Sequence, residues 1–397
     1  MPLAVFNQNK RFHHLRPLPC QSAHIHFGTI TDTELFGSYI VTEKQASIDV
    51  EGLYRPFEKE LKMAEDTNRS GAKAPVVDPV IQAFLDELAA QGGKPIYQLS
   101  IADARGVLES VQARQVEKLP ANIENRIIGA GPSGRISLRI VRPPNATGRL
   151  PAIMYFHGGG WILGSSNTHD RLVREIANGT NAAVVFVNYT PSPEAKYPIP
   201  IEEAYAATKY VAENGADLGL DGSRLAVAGD SVGGNMAAVV SMLAKQRGGP
   251  ALVCQVLFYP VTDADFDTGS YRQFAEGPWL TREAMRWFWN AYAPDTDMRK
   301  EITASPLQGS LEDLRGLPQT LIITDENDPL RDEGEAYARK LIQAGVRVTV
   351  TRYVATIHDF VMLTPLAGCP ATRAAIAQAN GILREALGAG ARMPLAA

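Results

Sequence analysis

A serine between two glycines is the residue of this chain best placed to act as a nucleophile. The segment GDSVG at 229–233 follows the apolar run LAVA and precedes a helical pattern, so Ser231 lies where a strand turns into a helix. Glycines on both sides remove Cβ atoms where strand and helix approach closely, so the serine can occupy a strained turn with its Oγ exposed. The helix N-terminus supplies N–H groups to a developing oxyanion.

Alone, this pattern is weak evidence, because G-x-S-x-G arises by chance in roughly one chain in eight of this glycine and serine content. The alternatives are a glycine-rich phosphate loop or an ordinary strand–helix turn. The segment lacks the Gly-Lys-Ser/Thr of a P-loop and the G-x-G-x-x-G of a dinucleotide-binding fold. A nucleophilic serine therefore needs independent support.

That support comes from HGGGW at 157–161, directly after another apolar run. Three consecutive glycines let the main chain pass close to a ligand and direct N–H groups into a pocket. Together with the N–H of Val232, they would complete an oxyanion hole. A merely flexible turn does not need three glycines beside the bulky Trp161.

Chain order then selects the base and narrows the choice of acid. In α/β-hydrolases the order is serine, acid, histidine, and His358 is the single histidine downstream of Ser231. Asp328 precedes Pro329, which favours an extended, fixed loop. Position alone leaves five candidate acids after the predicted strand 320–324: Asp325, Glu326, Asp328, Asp332 and Glu333. Of these, Asp332 and Glu333 are typical of the first turn of a helix.

The elements around these residues alternate between strand and helix. Near-continuous apolar runs are typical of a buried parallel sheet covered by helices on both faces, so the sequence predicts an α/β, doubly wound architecture. The predicted strands are 126–128, 136–141, 152–156, 183–187, 225–228, 253–258, 320–324 and 346–353. The predicted helices are 80–88, 100–111, 170–177, 202–213, 233–246, 333–344 and 372–387.

Two segments depart from this alternation. Residues 1–74 hold four of the seven histidines, show no long periodic stretch and end in a linker-like segment at 67–75. We expect an extension of unknown role there, and no metal site at His24 and His26, because no carboxylate or cysteine cluster completes one. The insertion 262–296 carries eight large aromatic residues and is predicted to pack over the site as a lid.

Composition excludes several classes of protein. The 397 residues include 39 basic and 43 acidic ones, a formal charge of −4, which gives no footprint for nucleic acid and no polybasic membrane signal. Apolar runs are too short for membrane insertion or a secretory signal. The three cysteines form no CxxC pair, so we expect a reducing, cytoplasmic location, and a monomer or homodimer.

With HGGGW, GDSVGGN, DPLRDEG at 328–334 and IHDF at 357–360, the chain resembles the hormone-sensitive-lipase-like esterases, bacterial lipolytic family IV of the α/β-hydrolase superfamily. The resemblance runs from about residue 75 to 387. It implies an eight-stranded, mostly parallel sheet and a helical cap, with N-terminal cap helices (75–120) and a catalytic domain (121–392) that carries a cap insertion at 262–296. The extension (1–74) has no counterpart in the typical family member.

The resemblance also implies roles for individual residues. Ser231 would be the nucleophile, Asp328 the triad acid and His358 the base. Gly159, Gly160 and Val232 would form the oxyanion hole. Trp161, Trp279 and Phe288 are predicted to contact the substrate, a small-molecule ester, and no metal or organic cofactor is implied.

Departures from the family pattern affect substrate range and pH dependence. Val232 is bulkier than the usual alanine, and Asp359 stands where glycine commonly follows the histidine and could perturb its pKa. The sequence thus predicts a serine carboxylesterase for short- to medium-chain esters. An amidase, lactonase or acyltransferase on the same triad remains open, as does a non-catalytic ligand receptor of this fold, against which His358 argues.

Overall fold

The computed structural model describes residues 75–389. The expectations for the first 74 residues, including the histidines and the linker-like segment, lie outside the described residues. So does the end of the predicted catalytic domain, beyond residue 389.

The centre of the fold is an eight-stranded sheet with the order β1-β2-β4-β3-β5-β6-β7-β8. Strand β2 pairs antiparallel with β1 and β4, and all other neighbours run parallel, so the predicted α/β-hydrolase sheet is confirmed. The strands are β1 Asn122–Ile128, β2 Ile136–Arg142, β3 Leu150–Phe156, β4 Ala183–Asn188, β5 Leu220–Asp230, β6 Cys254–Phe258, β7 Gln319–Asn327 and β8 Val348–Ile357.

Helices fill the connections and overlap every predicted helix. Asp78 caps the first one, because its side chain accepts a hydrogen bond from the N–H of Val80 at 2.8 Å. The helices are α1 Pro79–Gln91, α2 Ile101–Gln112, α3 Asp170–Thr180, α4 Ile199–Asn214, α5 Val232–Gln246, α6 Gly269–Gln273, α7 Arg282–Tyr292, α8 Leu311–Leu314, α9 Arg331–Gln343 and α10 Pro370–Ala386. None of them is both long enough and apolar enough to cross a membrane.

The core lies on both sides of the central strands. Every residue of β3 is buried, and so is every residue of α5 from Val232 to Ala244. Burying apolar surface stabilises a fold by about 25 cal/mol per Å². The strand that leads into the glycine loop and the helix that follows Ser231 are therefore both anchored in the core.

The aromatic insertion folds into α6 and α7, which lie before β7. One face of α7 is buried, including Phe288, Trp289 and Tyr292. The Trp161 ring stacks on Tyr292 with centroids 4.0 Å apart. Helix α7 is therefore packed directly on the glycine-rich loop that follows β3.

Arg105 on helix α2 connects that helix to the same region. Arg105 donates from Nε to the carbonyl oxygen of Ile162 at 2.9 Å and from Nη2 to that of Ser192 at 3.1 Å. Its guanidinium also contacts both oxygens of Glu194, at 2.8 and 2.7 Å. The N-terminal helices are thus joined to the loops after β3 and β4 by directional hydrogen bonds.

Candidate active site

Ser231 occupies the sharp turn between β5 and α5. Its φ and ψ angles are 54° and −121°, a conformation that L-residues rarely adopt. A Cβ atom at Gly229 would overlap the carbonyl oxygen of Gly233, and one at Gly233 would overlap that of Phe156. Both glycines of the motif are therefore required by close backbone approach, as predicted.

The side chains of Ser231, His358 and Asp328 form one chain of hydrogen bonds. Nε2 of His358 lies 2.9 Å from Oγ of Ser231, and Nδ1 lies 2.8 Å from Oδ2 of Asp328. All three residues are buried, at 4%, 2% and 0% exposure, which removes competing water from these bonds. The structure brings together the three residues that the sequence named.

Among the five candidate acids, contacts distinguish Asp328. Its second oxygen accepts the N–H of Leu330 at 2.9 Å, which fixes the carboxylate plane toward His358. Glu326, Asp332 and Glu333 accept backbone N–H groups elsewhere, from residues 355, 270 and 262. The remaining candidate, Asp325, is buried beside the triad.

The glycine loop after β3 lines the same cavity as the nucleophile. Gly159 and Gly160 have φ angles of 101° and 64°, which only glycine adopts readily. Among the described residues, no hydrogen bond engages the N–H groups of Gly159, Gly160 or Val232. Within the described residues, these three N–H groups are therefore without a protein acceptor.

A buried polar cluster under this loop was missed by the sequence analysis. Asp230, directly before the nucleophile, accepts a hydrogen bond from the hydroxyl of Tyr155 at 2.7 Å and lies 3.2 Å from Nε2 of His169. Burial opposes ionisation of Asp230, but His169 and these hydrogen bonds outweigh it and lower the pKa of the carboxyl. The apolar context of Tyr155 and the place of Asp230 inside the motif gave no separate signal for this pairing.

A mostly apolar cavity of about 280 Å³ opens above Ser231 and His358. Its walls come from three parts of the chain: the N-terminal helices, the glycine loop and the insertion. The predicted Trp279 and Phe288 line it, together with Leu88, Ile96, Tyr97, Ala104, Val107, Leu108, Val111, Leu163, Leu280, Thr281 and Ala284.

Trp161, the third predicted substrate contact, does not line this cavity. It is fully buried, with its ring against Trp289 and Tyr292. The reason is local: Trp161 has a φ of 59° and follows two glycines of positive φ, so the chain reverses there and its side chain joins the core.

Asp359 adds a second carboxylate to the site. It has a φ of 67°, where the family commonly has glycine, and Oδ1 lies 3.5 Å from Nε2 of His358. Oδ2 accepts a hydrogen bond from the Trp279 indole at 3.0 Å. A wall residue of the cavity is thereby linked to a charge beside the imidazole.

The electrostatics of His358 follow from these neighbours. Burial by itself lowers the pKa of the imidazole, because it disfavours the charged form. The negative charges of Asp328 and Asp359 and the hydrogen bond to Asp328 outweigh burial and raise the pKa of His358 to about 9. The site therefore stabilises the imidazolium form strongly.

One group in the described part of the chain has the residue types of a metal site: Asp325, Asp328 and His358 each offer one ligand atom, all within 4.8 Å of one another. Nδ1 of His358 and Oδ2 of Asp328 already hydrogen-bond each other at 2.8 Å. That contact belongs to the chain of bonds that ends at Ser231, so the group fits a proton-handling site better than a metal site.

The family described as alpha/beta hydrolase fold matches residues 153–362, which include every residue of the hydrogen-bonded chain. This chain belongs to that family. The predicted resemblance to the hormone-sensitive-lipase-like esterases is confirmed with it.

Several relatives of this hydrolase family are similar over most of the chain. Carboxylesterase NlhH of Mycobacterium tuberculosis is 38% identical over 320 residues, covering 79% of this chain and 97% of the relative. Ethyl acetate hydrolase of Pseudomonas putida is 34% identical over 296 residues, covering 72% and 92%. These relatives confirm the predicted class of enzyme, a carboxylesterase.

Solved structures agree with the fold. The crystal structure of a thermostable esterase from Pseudomonas putida ECU1011 is 53% identical, with a TM-score of 0.78, and the match covers 79% of this chain and 99% of that one. An esterase from Pyrobaculum calidifontis is 36% identical, with a TM-score of 0.71, covering 79% and 99%.

Proposed function

We propose that this hydrolase cleaves carboxylic esters with short to medium acyl chains through an acyl-enzyme intermediate. One observation carries the proposal: Ser231, His358 and Asp328 form a continuous chain of hydrogen bonds at the base of a mostly apolar cavity. A chromogenic ester series, run on the intact protein and on Ser231→Ala, tests it.

In the mechanism that we propose, His358 removes the proton of Ser231 as the Oγ attacks the ester carbonyl. Asp328 accepts the Nδ1–H bond, holds the ring in the required tautomer and stabilises the imidazolium. His358 then protonates the leaving alcohol, and an acyl-enzyme remains. Water activated by His358 releases the acid and restores the serine.

The N–H groups of Gly159, Gly160 and Val232 are proposed to stabilise the oxyanion of both tetrahedral intermediates. Support comes from the absence of any acceptor for them in the described residues. Gly159 and Gly160 also line the cavity together with Ser231, and Val232 directly follows Ser231 in the chain. Loss of one such donor commonly costs a factor of 10² to 10³ in turnover, about 3–4 kcal/mol.

An acyl-chain limit follows from the size of the cavity. Its volume of about 280 Å³ lies just below the usual range for small-molecule sites, roughly 300–1,000 Å³. Each buried methylene adds up to about 0.8 kcal/mol until the cavity is filled. We therefore expect kcat/KM to rise over short acyl chains and to fall by about the octanoyl ester. Triglyceride emulsions of long chains hydrolysed as fast as butyrate esters would contradict this.

Trp279 and Phe288 are expected to set that limit. Replacing either with alanine removes part of the cavity wall, so the preference should move toward longer acyl chains by a few methylene groups. Trp287→Ala is the matched control, because this tryptophan lies on the same helix as Phe288 but outside the cavity. Unchanged preference in both cavity variants would show that the acyl chain binds elsewhere.

The charge of Asp359 is expected to control the pH profile. His358 acts as a base only when neutral, so its pKa of about 9 predicts that kcat/KM rises with pH toward that value. Asp359→Asn removes a negative charge that favours the imidazolium. The pKa of His358 should fall, and the acidic limb of kcat/KM should move to lower pH by about one unit.

Asp297→Asn, at an exposed carboxylate paired with Lys300, is the control for a change of net charge. It should leave the limb in place. A limb that moves to higher pH in Asp359→Asn would mean that Asp359 does not act on His358 through its charge.

The chemical class of the substrate needs its own comparison, because the same triad can serve an amidase, a lactonase or an acyltransferase. Esters, amides and lactones of matched acyl group should be assayed on one preparation, and we expect the highest kcat/KM for the esters.

We also propose a cytoplasmic location, which is supported by the free thiols of the buried Cys254 and Cys369. Fractionation of the source cells checks this.

A further inference from the structure

A buried carboxyl group beside the triad has no hydrogen-bond donor. Asp325 lies near the end of β7 and is 0% exposed, and neither of its carboxyl oxygens has a partner among the described residues. Glu333, the comparable buried acid on α9, accepts the N–H groups of Thr262 and Asp263. Asp325 therefore differs from Glu333 in that no backbone N–H approaches its carboxyl group among the described residues.

The groups around Asp325 are those of the catalytic site. One of its oxygens lies within 4.8 Å of both the Asp328 carboxylate and the His358 imidazole. Tyr259, after β6, packs on the His358 ring with centroids 4.9 Å apart, and Asp359 contributes its charge from the loop after β8. No cation other than the imidazolium of His358 faces the group in these contacts.

The protonation state of Asp325 follows from its burial and from the negative charges beside it. An ionised carboxylate that is buried without donors is costly, and a second negative charge beside it adds repulsion. Burial, followed by the charges of Asp328 and Asp359, raises the pKa of Asp325 well above its ordinary range. Two ionised carboxylates cannot hydrogen-bond each other, but a proton on one makes it a donor to the other.

We propose that Asp325, as a neutral acid, donates a hydrogen bond to the carboxylate of Asp328 and so sets the basicity of His358. The proton stays on Asp325 throughout the cycle, so this is a positioning residue and not a catalytic one. The proposal rests on the triad assignment made above.

The bond has a definite effect on the base. Each oxygen of Asp328 has one protein donor, His358 at Oδ2 and Leu330 at Oδ1, and each has a further lone pair free to accept. A donor from Asp325 disperses the negative charge of Asp328. The imidazolium is then stabilised less than by a bare carboxylate, which brings the pKa of His358 closer to neutral pH.

Two variants of similar size test this. Asp325→Asn keeps a neutral donor, and Asp325→Leu fills the space without one. We expect Asp325→Leu to move the acidic limb of kcat/KM to higher pH by about one unit and to lower kcat several-fold, with little effect on KM. Asp325→Asn should restore the wild-type position of the limb.

Infrared spectroscopy measures the proton directly. At pH 7 the wild-type protein should show a neutral-carboxyl C=O band that is lost in Asp325→Asn. This readout stays informative if Asp325→Leu does not fold, and it does not depend on activity. It therefore separates failure of this proposal from failure of the esterase proposal, which the Ser231→Ala variant tests.

Three results would overturn the proposal. A limb moved to lower pH in Asp325→Asn, as expected for Asp359→Asn, would mean that Asp325 is ionised. The absence of the neutral-carboxyl band would mean the same. A lower melting temperature in Asp325→Leu with an unmoved limb would assign Asp325 to folding alone.

Discussion

Replacing Ser231 with alanine is expected to lower kcat for short-chain esters by about 10⁶-fold, the loss known for nucleophiles that act within a triad. The variant removes the atom that forms the acyl-enzyme, and His358 then has no hydroxyl to deprotonate. Stability should change little, because the Oγ makes its single hydrogen bond to His358 and the turn itself is held by backbone contacts. Initial rates with butyrate esters and thermal melting curves measure the two effects.

Ser241→Ala is the matched control for this variant. Ser241 is a buried serine on α5, the helix that begins directly after Ser231, and its hydroxyl donates only to the carbonyl oxygen of Ala237. It should keep wild-type rates. A Ser231→Ala variant that retains activity within about tenfold of wild type would remove Ser231 from the mechanism.

A serine-directed covalent probe gives the same test without turnover. The wild-type protein should be labelled in proportion to the probe, Ser231→Ala should not be labelled, and prior incubation with substrate should slow the labelling. A wild-type protein that binds esters without being labelled would instead support the ligand-receptor interpretation.

Replacing Asp328 with asparagine is expected to lower turnover by about 10⁴-fold. The amide keeps the size of the side chain but can present an N–H to Nδ1 of His358, which favours the wrong tautomer and no longer stabilises the imidazolium. KM should change much less than kcat, because Asp328 lies behind the imidazole and does not line the cavity.

Asp332→Asn is the control, because this carboxylate lies four residues away and accepts the N–H of Ser270 on α6 instead of contacting His358. It should retain most of the activity. If Asp332→Asn were the more damaging of the two, the triad acid would have to be reassigned.

The strands were predictable because most of them are short apolar runs, but their ends were not. Strand β5 begins at Leu220, five residues before the predicted start, since Leu220 and Asp221 pair with Leu150 and Pro151 across an irregular register. The segment DGSR at 221–224 carries no apolar signal. Pairing with β3 makes it a strand, and a partner strand cannot be read from local residue types.

In the site, too, residues marked by a local motif were predictable, whereas residues brought together by the fold were not. Ser231 and the glycine loop are marked by motifs, and His358 by its position in the chain. The cavity wall is different: Leu88 on α1, Leu163 after β3 and Ala284 on α7 meet only because the chain folds back on itself. Trp161 was assigned to the wrong environment for a related reason, since a positive φ angle changed where its side chain lies.

The triad acid could be chosen only from its hydrogen-bond partners in the structure. Five carboxylates lie within nine residues, and sequence position could not separate them. The structure distinguishes them by their hydrogen-bond donors. Glu326 and Glu333 accept backbone N–H groups, Asp332 accepts a backbone N–H and the Arg331 guanidinium, and Asp328 contacts the His358 imidazole. Asp325 accepts no hydrogen bond from the part of the chain that the structure describes, and this property becomes visible only when every neighbouring donor there is known.

Helices α2 and α7, which both line the cavity, belong to distant parts of the chain. The three residues of the proposed triad, in contrast, each directly follow a strand of the sheet. Cavity-lining residues on these two helices can therefore be substituted without changing the catalytic residues. A combinatorial library confined to Val107, Val111, Ala284 and Phe288 should yield many folded variants that differ in selectivity and share one pH profile. Arg105 should stay fixed in such a library, because it anchors the first of these helices.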